Sequence, residues 1–356
     1  MLKKAVAMFL IFASMAIWVG CVSTTSRYLY AAIPNTSQIV AYREDPNSGV
    51  LTALTVSPIT AGASVQSVAV HPSKKFLYAT NSGLESDISL FTIASSGALT
   101  EVTPRTTAGT TPTLMVMDAA GQFLYVANVG SRDISSYSID PTSGALTPVS
   151  GSPFPIATSA LNMKLSPSGN VLYVTGSGTP GFVEVWPVSA GALNAQGVTI
   201  TSVGTNPNGL AINPAGTFLY VANSAPDNTI SEFGINADGS LAPLGVVGGS
   251  TLTGPTALLV DNSGTYLFAA NTGSSNIAGF TIGSDGSLSL LATNSTVATN
   301  SQPNVMVSDP TGKYIFVGNQ SSPAIQSFSL STGSGTLTSI ASYSVGNTPT
   351  SIALTP

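Results

Sequence analysis

From residue 28 onward the chain is written in short apolar runs rich in Val, Ile, Leu, Phe and Tyr. Gly, Pro, Asn, Asp and Ser bound each run. Such runs read as strands, because β-branched and aromatic side chains suit a pleated surface and the bounding residues make turns. After residue 20 no window carries a sustained apolar stripe at helical spacing. The segment from Pro207 to about Gly248 shows one complete unit. "NGLAINPAG" predicts a first strand ending in an Asn-Pro turn, and "TFLYVAN" a second. "TISEFGI", alternating apolar and polar, predicts a third, and "LAPLGVV" a fourth after the turn "NADGS".

The unit recurs. Tyr30, Tyr78, Tyr125, Tyr173, Tyr220, Phe268 and Phe316 each take the third place in a phrase of the type FLYVAN, spaced by 48, 47, 48, 47, 48 and 48 residues. A fixed period in the forties with four strands per period predicts an all-β, seven-bladed β-propeller of four-stranded antiparallel blades. The first copy begins at Arg27-Tyr28-Leu29-Tyr30, without a first strand before it. The last residues, "GNTPTSIALTP", resemble the first strand in "GTNPNGLAINP" but have no blade after them. Thr350–Leu354 are therefore expected to pair beside the N-terminal strands and close the ring, which removes exposed sheet edges.

Lys3 and Lys4 precede the apolar stretch "AVAMFLIFASMAIWVG", and Cys21 follows. A short basic region before an apolar core reads as an export signal. The placing of Cys21, the only cysteine, resembles the bacterial lipoprotein signal, in which that residue takes the lipid; Trp18 departs from the usual aliphatic three residues before it. The reading is a signal peptide over 1–20, a short tether over 21–27 and a propeller over 28–356. An uncleaved anchor, or secretion with a free thiol, are the alternatives. The resemblance implies an exported protein, lipid-anchored in the bacterial cell envelope. Val22 beside the cysteine implies an outer-membrane rather than an inner-membrane address.

Without Lys3 and Lys4, 8 basic side chains face 15 acidic ones. Charged residues make up 7% of the chain, against about 25% in typical domains. With no basic cluster beyond Lys74-Lys75, nucleic acid is excluded as a partner. One histidine and one cysteine offer no metal set, and no cofactor is expected.

Comparing equivalent positions separates structural residues from exceptions. His71 has Asp118, Ser166, Asn213, Asp261, Asp309 and Thr355 as counterparts and reads as a turn residue. Asn81, Asn128, Asn223, Asn271 and Asn319 recur at the end of the second strand and also read as structural. Lys164 breaks the pattern. It is the one charged side chain on a first strand, where the other copies carry Ala69, Val116, Ala211, Leu259, Val307 and Ala353. Glu184, next to Trp186 on a third strand, reads as packing or surface.

The YVAN and YVTG phrases, with Gly-x-Leu turns at Gly97, Gly144, Gly239 and Gly286, resemble the YVTN-type, lactonase-like seven-bladed propellers over the whole mature chain. That family includes 6-phosphogluconolactonase-type enzymes, muconate-lactonizing relatives and many exported members of no known activity. The resemblance implies a ligand face at the starts of the first strands and the loops between second and third strands. The candidates there are Asn162, Asn208 and Asn304, with Glu85, Arg132 and Asp227 in the loops and Lys164 in the channel. Arg132 and Asp133 could instead pair with each other. The family's sugar-phosphate enzymes use His, Glu and Arg at the channel mouth, and no such grouping is visible here. The expected function is thus a binding module for a polar small molecule, a glycan or an envelope protein, as a monomer. The alternative is an extracytoplasmic lactonase.

Overall fold

The computed structural model describes residues 26–195 and 198–356, which form seven antiparallel sheets. The first strands of blades 2 to 7 are Val65–Val70, Pro112–Met117, Ala160–Leu165, Pro207–Ile212, Pro255–Val260 and Pro303–Ser308. Ser351–Leu354 serves blade 1. Each of these strands neighbours the next in cyclic order, so together they enclose a central channel. Blade 5 runs Pro207–Ile212, Phe218–Asn223, Thr229–Ile235 and Leu241–Gly248, as its sequence predicts. The fourth strand is continuous in blades 2, 5 and 7 and broken into two pieces in blades 1, 3, 4 and 6.

Blade 1 is assembled from both ends of the described chain. Ser351–Leu354 pairs antiparallel with Arg27–Ile33, setting Leu354 opposite Leu29 and Ala353 opposite Tyr30. Thr355 finishes the closure: its N–H donates to the Tyr28 carbonyl at 2.9 Å, and its hydroxyl accepts from the Tyr28 N–H at 2.9 Å.

The second strands are buried between sheets on both faces. Phe76–Asn81, Tyr266–Asn271 and Tyr314–Asn319 are buried along their whole length. A strand covered on both sides reads as a continuous apolar run rather than an alternating one, which is why FLYVAN lacks polar positions until its final Asn. That Asn braces the loop after it. The Asn81 amide donates to Asp87 at 2.6 Å and to Ser89 at 3.0 Å, and Asn128 makes the equivalent bonds to Asp133 and Ser135.

The aromatic anchor and the Gly-x-Leu turn are two halves of one joint. The hydroxyls of Tyr30, Tyr78, Tyr173 and Tyr220 donate to the carbonyls of Gly97, Gly144, Gly239 and Gly286 in the following blade, at 2.7 to 2.9 Å. Burial pushes the Tyr173 phenol up to about 12, which keeps it a donor at physiological pH. The same turn receives the side chain that opens the preceding blade's second strand. Gly144, at φ 75°, packs on Phe76 so closely that a Cβ would stand 2.8 Å from the ring. Equivalent close packing recurs at all seven joints, including Tyr314 of blade 7 against Gly49 of blade 1.

Tyr78→Phe would leave the Gly144 carbonyl without its donor and is expected to cost about 1–2 kcal/mol in denaturant unfolding. Gly144→Ala combines a positive φ with an overlap on Phe76 and is expected to cost more. The reverse order would contradict the joint as described.

Candidate functional site

The first strands enclose a channel of about 400 Å³. Innermost strands have no sheet neighbour on the channel side, so their backbone edges face it. Near the strand starts the lining is polar, with Gln66, Thr113, Asn208, Thr256, Asn304 and Thr350. In blade 4 that position is Leu161, and Asn162 comes one residue later.

Much of this polarity runs around the mouth. The Asn162 amide donates to the Asn208 carbonyl at 2.7 Å, joining blade 4 to 5. Ser224 donates to the Pro255 carbonyl at 2.6 Å, and Thr272 to the Pro303 carbonyl at 2.7 Å. The Asn304 amide donates to the Pro349 carbonyl at 2.8 Å, and Thr350 to the Gln66 carbonyl at 2.6 Å. The three asparagines therefore share one rim, with their amides spent on neighbours. Asn208 donates to Ser224 at 3.0 Å. The Asn304 side-chain carbonyl and the Thr113 hydroxyl remain without a hydrogen-bond partner.

Glu85, Arg132 and Asp227 are exposed on the loops of this face and do not line the channel. Arg132 sits at φ 58° and makes no ion pair with Asp133, which instead holds the Asn128 amide. Asp227 accepts the Thr205 N–H at 2.6 Å and borders a separate groove between blades 4 and 5.

Lys164 lines the channel nearer the turns between first and second strands and is the sole ionisable side chain among its lining residues. Its amine has no hydrogen-bond or ion-pair partner among the described residues. The residue is exposed to solvent within the channel, yet the surrounding blades crowd it. That desolvation pushes its pKa below the ordinary lysine value.

The remaining chemistry is committed elsewhere. His71 accepts the Ser73 N–H on Nδ1 at 3.1 Å, so its Nε2 donates to the Gly121 carbonyl at 2.9 Å, a turn-to-turn link between blades 2 and 3. Asp118, Asp261 and Asp309 cap the corresponding turns of their blades. Glu184 is buried, accepting the Ala157 N–H and the Trp186 indole N–H at 2.8 Å each, which makes it a packing residue. Glu232 accepts the Leu288 N–H of the next blade at 2.9 Å. Among the described residues, no three His, Cys, Asp or Glu side chains gather closely enough to hold a metal ion. Cys21 lies outside the described residues.

A closed ring of seven four-stranded sheets around a first-strand channel defines the class as a seven-bladed propeller. Residues 21–160 and 163–354 match the family described as "Lactonase, 7-bladed beta-propeller", and the chain belongs to that family. No curated protein matches the chain. Among solved structures, it resembles a candidate 6-phosphogluconolactonase of Bacteroides fragilis at 20% identity and TM-score 0.78, covering 94% of this chain and 99% of that one. A protein from Lactobacillus plantarum aligns at 21% identity and TM-score 0.80, over 93% and 99% of the two chains. The periplasmic gluconolactonase PpgL of Pseudomonas aeruginosa aligns at 18% identity and TM-score 0.75, again over 93% and 99%. Identities this low establish the shared fold alone.

A lysine whose folded pKa is depressed costs stability at every pH below that folded value, and the cost fades as pH climbs toward the ordinary 10.5. Lys164→Met is thus expected to raise the thermal midpoint at pH 7, with the gain shrinking in alkaline buffer. A marked loss at pH 7 would mean that the amine has a stabilising partner.

Proposed function

We propose that this propeller is a binding module of the cell envelope whose central channel takes a small hydroxylated acid. The observation that carries the reading is the channel itself. Its walls offer backbone edges, a polar rim and one unpaired amine, and among the described residues no carboxylate, histidine or arginine lines it. At about 400 Å³ it falls toward the small end of ligand sites, which span about 300–1,000 Å³; that suits one sugar-sized acid rather than an oligosaccharide. An anion reaching Lys164 supplies the counter-charge the amine lacks, so binding favours its charged form and raises its pKa. The Lys3-Lys4 and Cys21 pattern supports export and lipid anchoring, which would set the propeller close to a membrane.

Membership of the lactonase family, and the likeness to a periplasmic gluconolactonase, favour a second reading: hydrolysis of a lactone in the same channel. Opening a lactone requires a base to take a proton from water and donors for the developing oxyanion. Lys164, with its lowered pKa, is the channel's one group able to act as that base. The water proton would pass to the amine and the hydroxide to the acyl carbon, and the ring oxygen would leave and be reprotonated.

Calorimetric titration of the chain from Ser23 with gluconate separates the readings when paired with pH-stat assays on gluconolactone. Saturable binding, weakened about tenfold or more by Lys164→Met and without turnover above the spontaneous rate, is the expected result. Turnover abolished by Lys164→Met would install the second reading, and neither binding nor turnover across an aldonate and lactone panel would reject both.

A further inference from the structure

Glu44 breaks the sevenfold pattern in a place remote from the channel rim. It ends the third strand of blade 1, Gln38–Glu44, opposite Arg27. The equivalent positions in the other blades are Ile93, Ile139, Val188, Ile235, Ile282 and Leu330, all aliphatic. Glu44 is nevertheless buried, at 1% exposure, and neither carboxylate oxygen has a hydrogen-bond partner.

Its surroundings belong to the joint that closes the ring. Arg27 Nη1 lies 3.6 Å from Glu44 Oε1 and 2.9 Å from Asp309 Oδ2 of blade 7. Asp309 already accepts the N–H groups of Lys313 and Tyr314, so its charge is well held. One arginine therefore faces two carboxylates across the blade 7–blade 1 seam, one of them hydrogen-bonded and the other not. Asp45, following Glu44 in the chain, adds further negative charge, and the Tyr314 phenol is the remaining titratable neighbour from blade 7. Burial first, and Asp309 second, push the Glu44 carboxyl up to about 7, against the pull of Arg27. The adjoining residue, Tyr28, makes the two hydrogen bonds to Thr355 that finish the closing strand.

We propose that Glu44, Arg27 and Asp309 form a proton-operated clasp on the seam that closes the propeller. With Glu44 neutral, Arg27 serves Asp309 alone and the seam is shut. With Glu44 ionised, a second buried carboxylate competes for the same guanidinium, and local opening lets water reach it. The folded pKa lies above the ordinary 4.5, so the closed state holds the proton more tightly than the open one. Opening becomes easier as pH rises from about 5 to about 7, by up to tenfold per pH unit, and changes no further above that window.

Hydrogen exchange of the chain from Ser23, corrected for intrinsic rates, reads this directly. Amides of Arg27–Ile33 and Ser351–Leu354 should lose protection relative to Val171–Gly176 of blade 4 as pH rises from 5.5 to 7.5. In Glu44→Gln and Glu44→Ile the ratio should stay flat; Ile is the residue four other blades carry in that place, which guards against a misfolded Gln variant. Parallel behaviour of wild type and variants, or equal loss in blade 4, would overturn the clasp. So would a Glu44 carboxyl that titrates near 4.5 by carbon NMR.

Discussion

The structure depends on the joint between consecutive blades. An aromatic or bulky side chain at the start of each second strand lies against a glycine of the next blade's last turn, and four of the seven anchors add a buried tyrosine–carbonyl hydrogen bond. This one contact accounts for both recurrent phrases of the sequence. The turn must hold glycine, because a Cβ there would overlap the side chain that opens the preceding blade's second strand. Tyr125, Phe268 and Phe316 make no such bond, while all seven glycines are packed by the side chain that opens the strand, Val171 in blade 4 included, so that packing is the constant part and the hydrogen bond an addition.

A chain of identical joints has to end on itself, and the closing joint differs from the rest. It combines Tyr314 against Gly49 with a non-covalent strand pairing and the Arg27–Asp309 ion pair. The rim of the channel is tied in the same circumferential sense, by side chains of one blade donating to carbonyls of the next. Stability and channel mouth are thus built from the same direction of contact. The rim asparagines are held in fixed orientations rather than left free to seek a ligand, and the interior offers preformed polar walls.

The period, the four strands and the closure by Ser351–Leu354 were legible in the sequence, because each blade repeats the same burial pattern and repeats are read by comparison. The same comparison picked out Lys164, since a charge on an innermost strand has no structural precedent in the other six copies. The rim was less legible. Asn162, Asn208 and Asn304 could be placed together, but their bonds to neighbouring carbonyls, and the part played by Ser224 and Thr272 from other strands, are products of tertiary closure. The Arg132–Asp133 pair suggested by adjacency does not form, because Asp133 is taken by Asn128. Glu44 carried a signal that aligned third strands reveal: a carboxylate among six aliphatic residues.

If the channel is the ligand site, as proposed, Lys164 is its unpaired charge. The most direct measurement is nitrogen NMR titration of the Lys164 amine, without and with gluconate. The account predicts a pKa below the ordinary lysine value in the free protein and a rise on adding ligand. An ordinary value that gluconate leaves unchanged would contradict it.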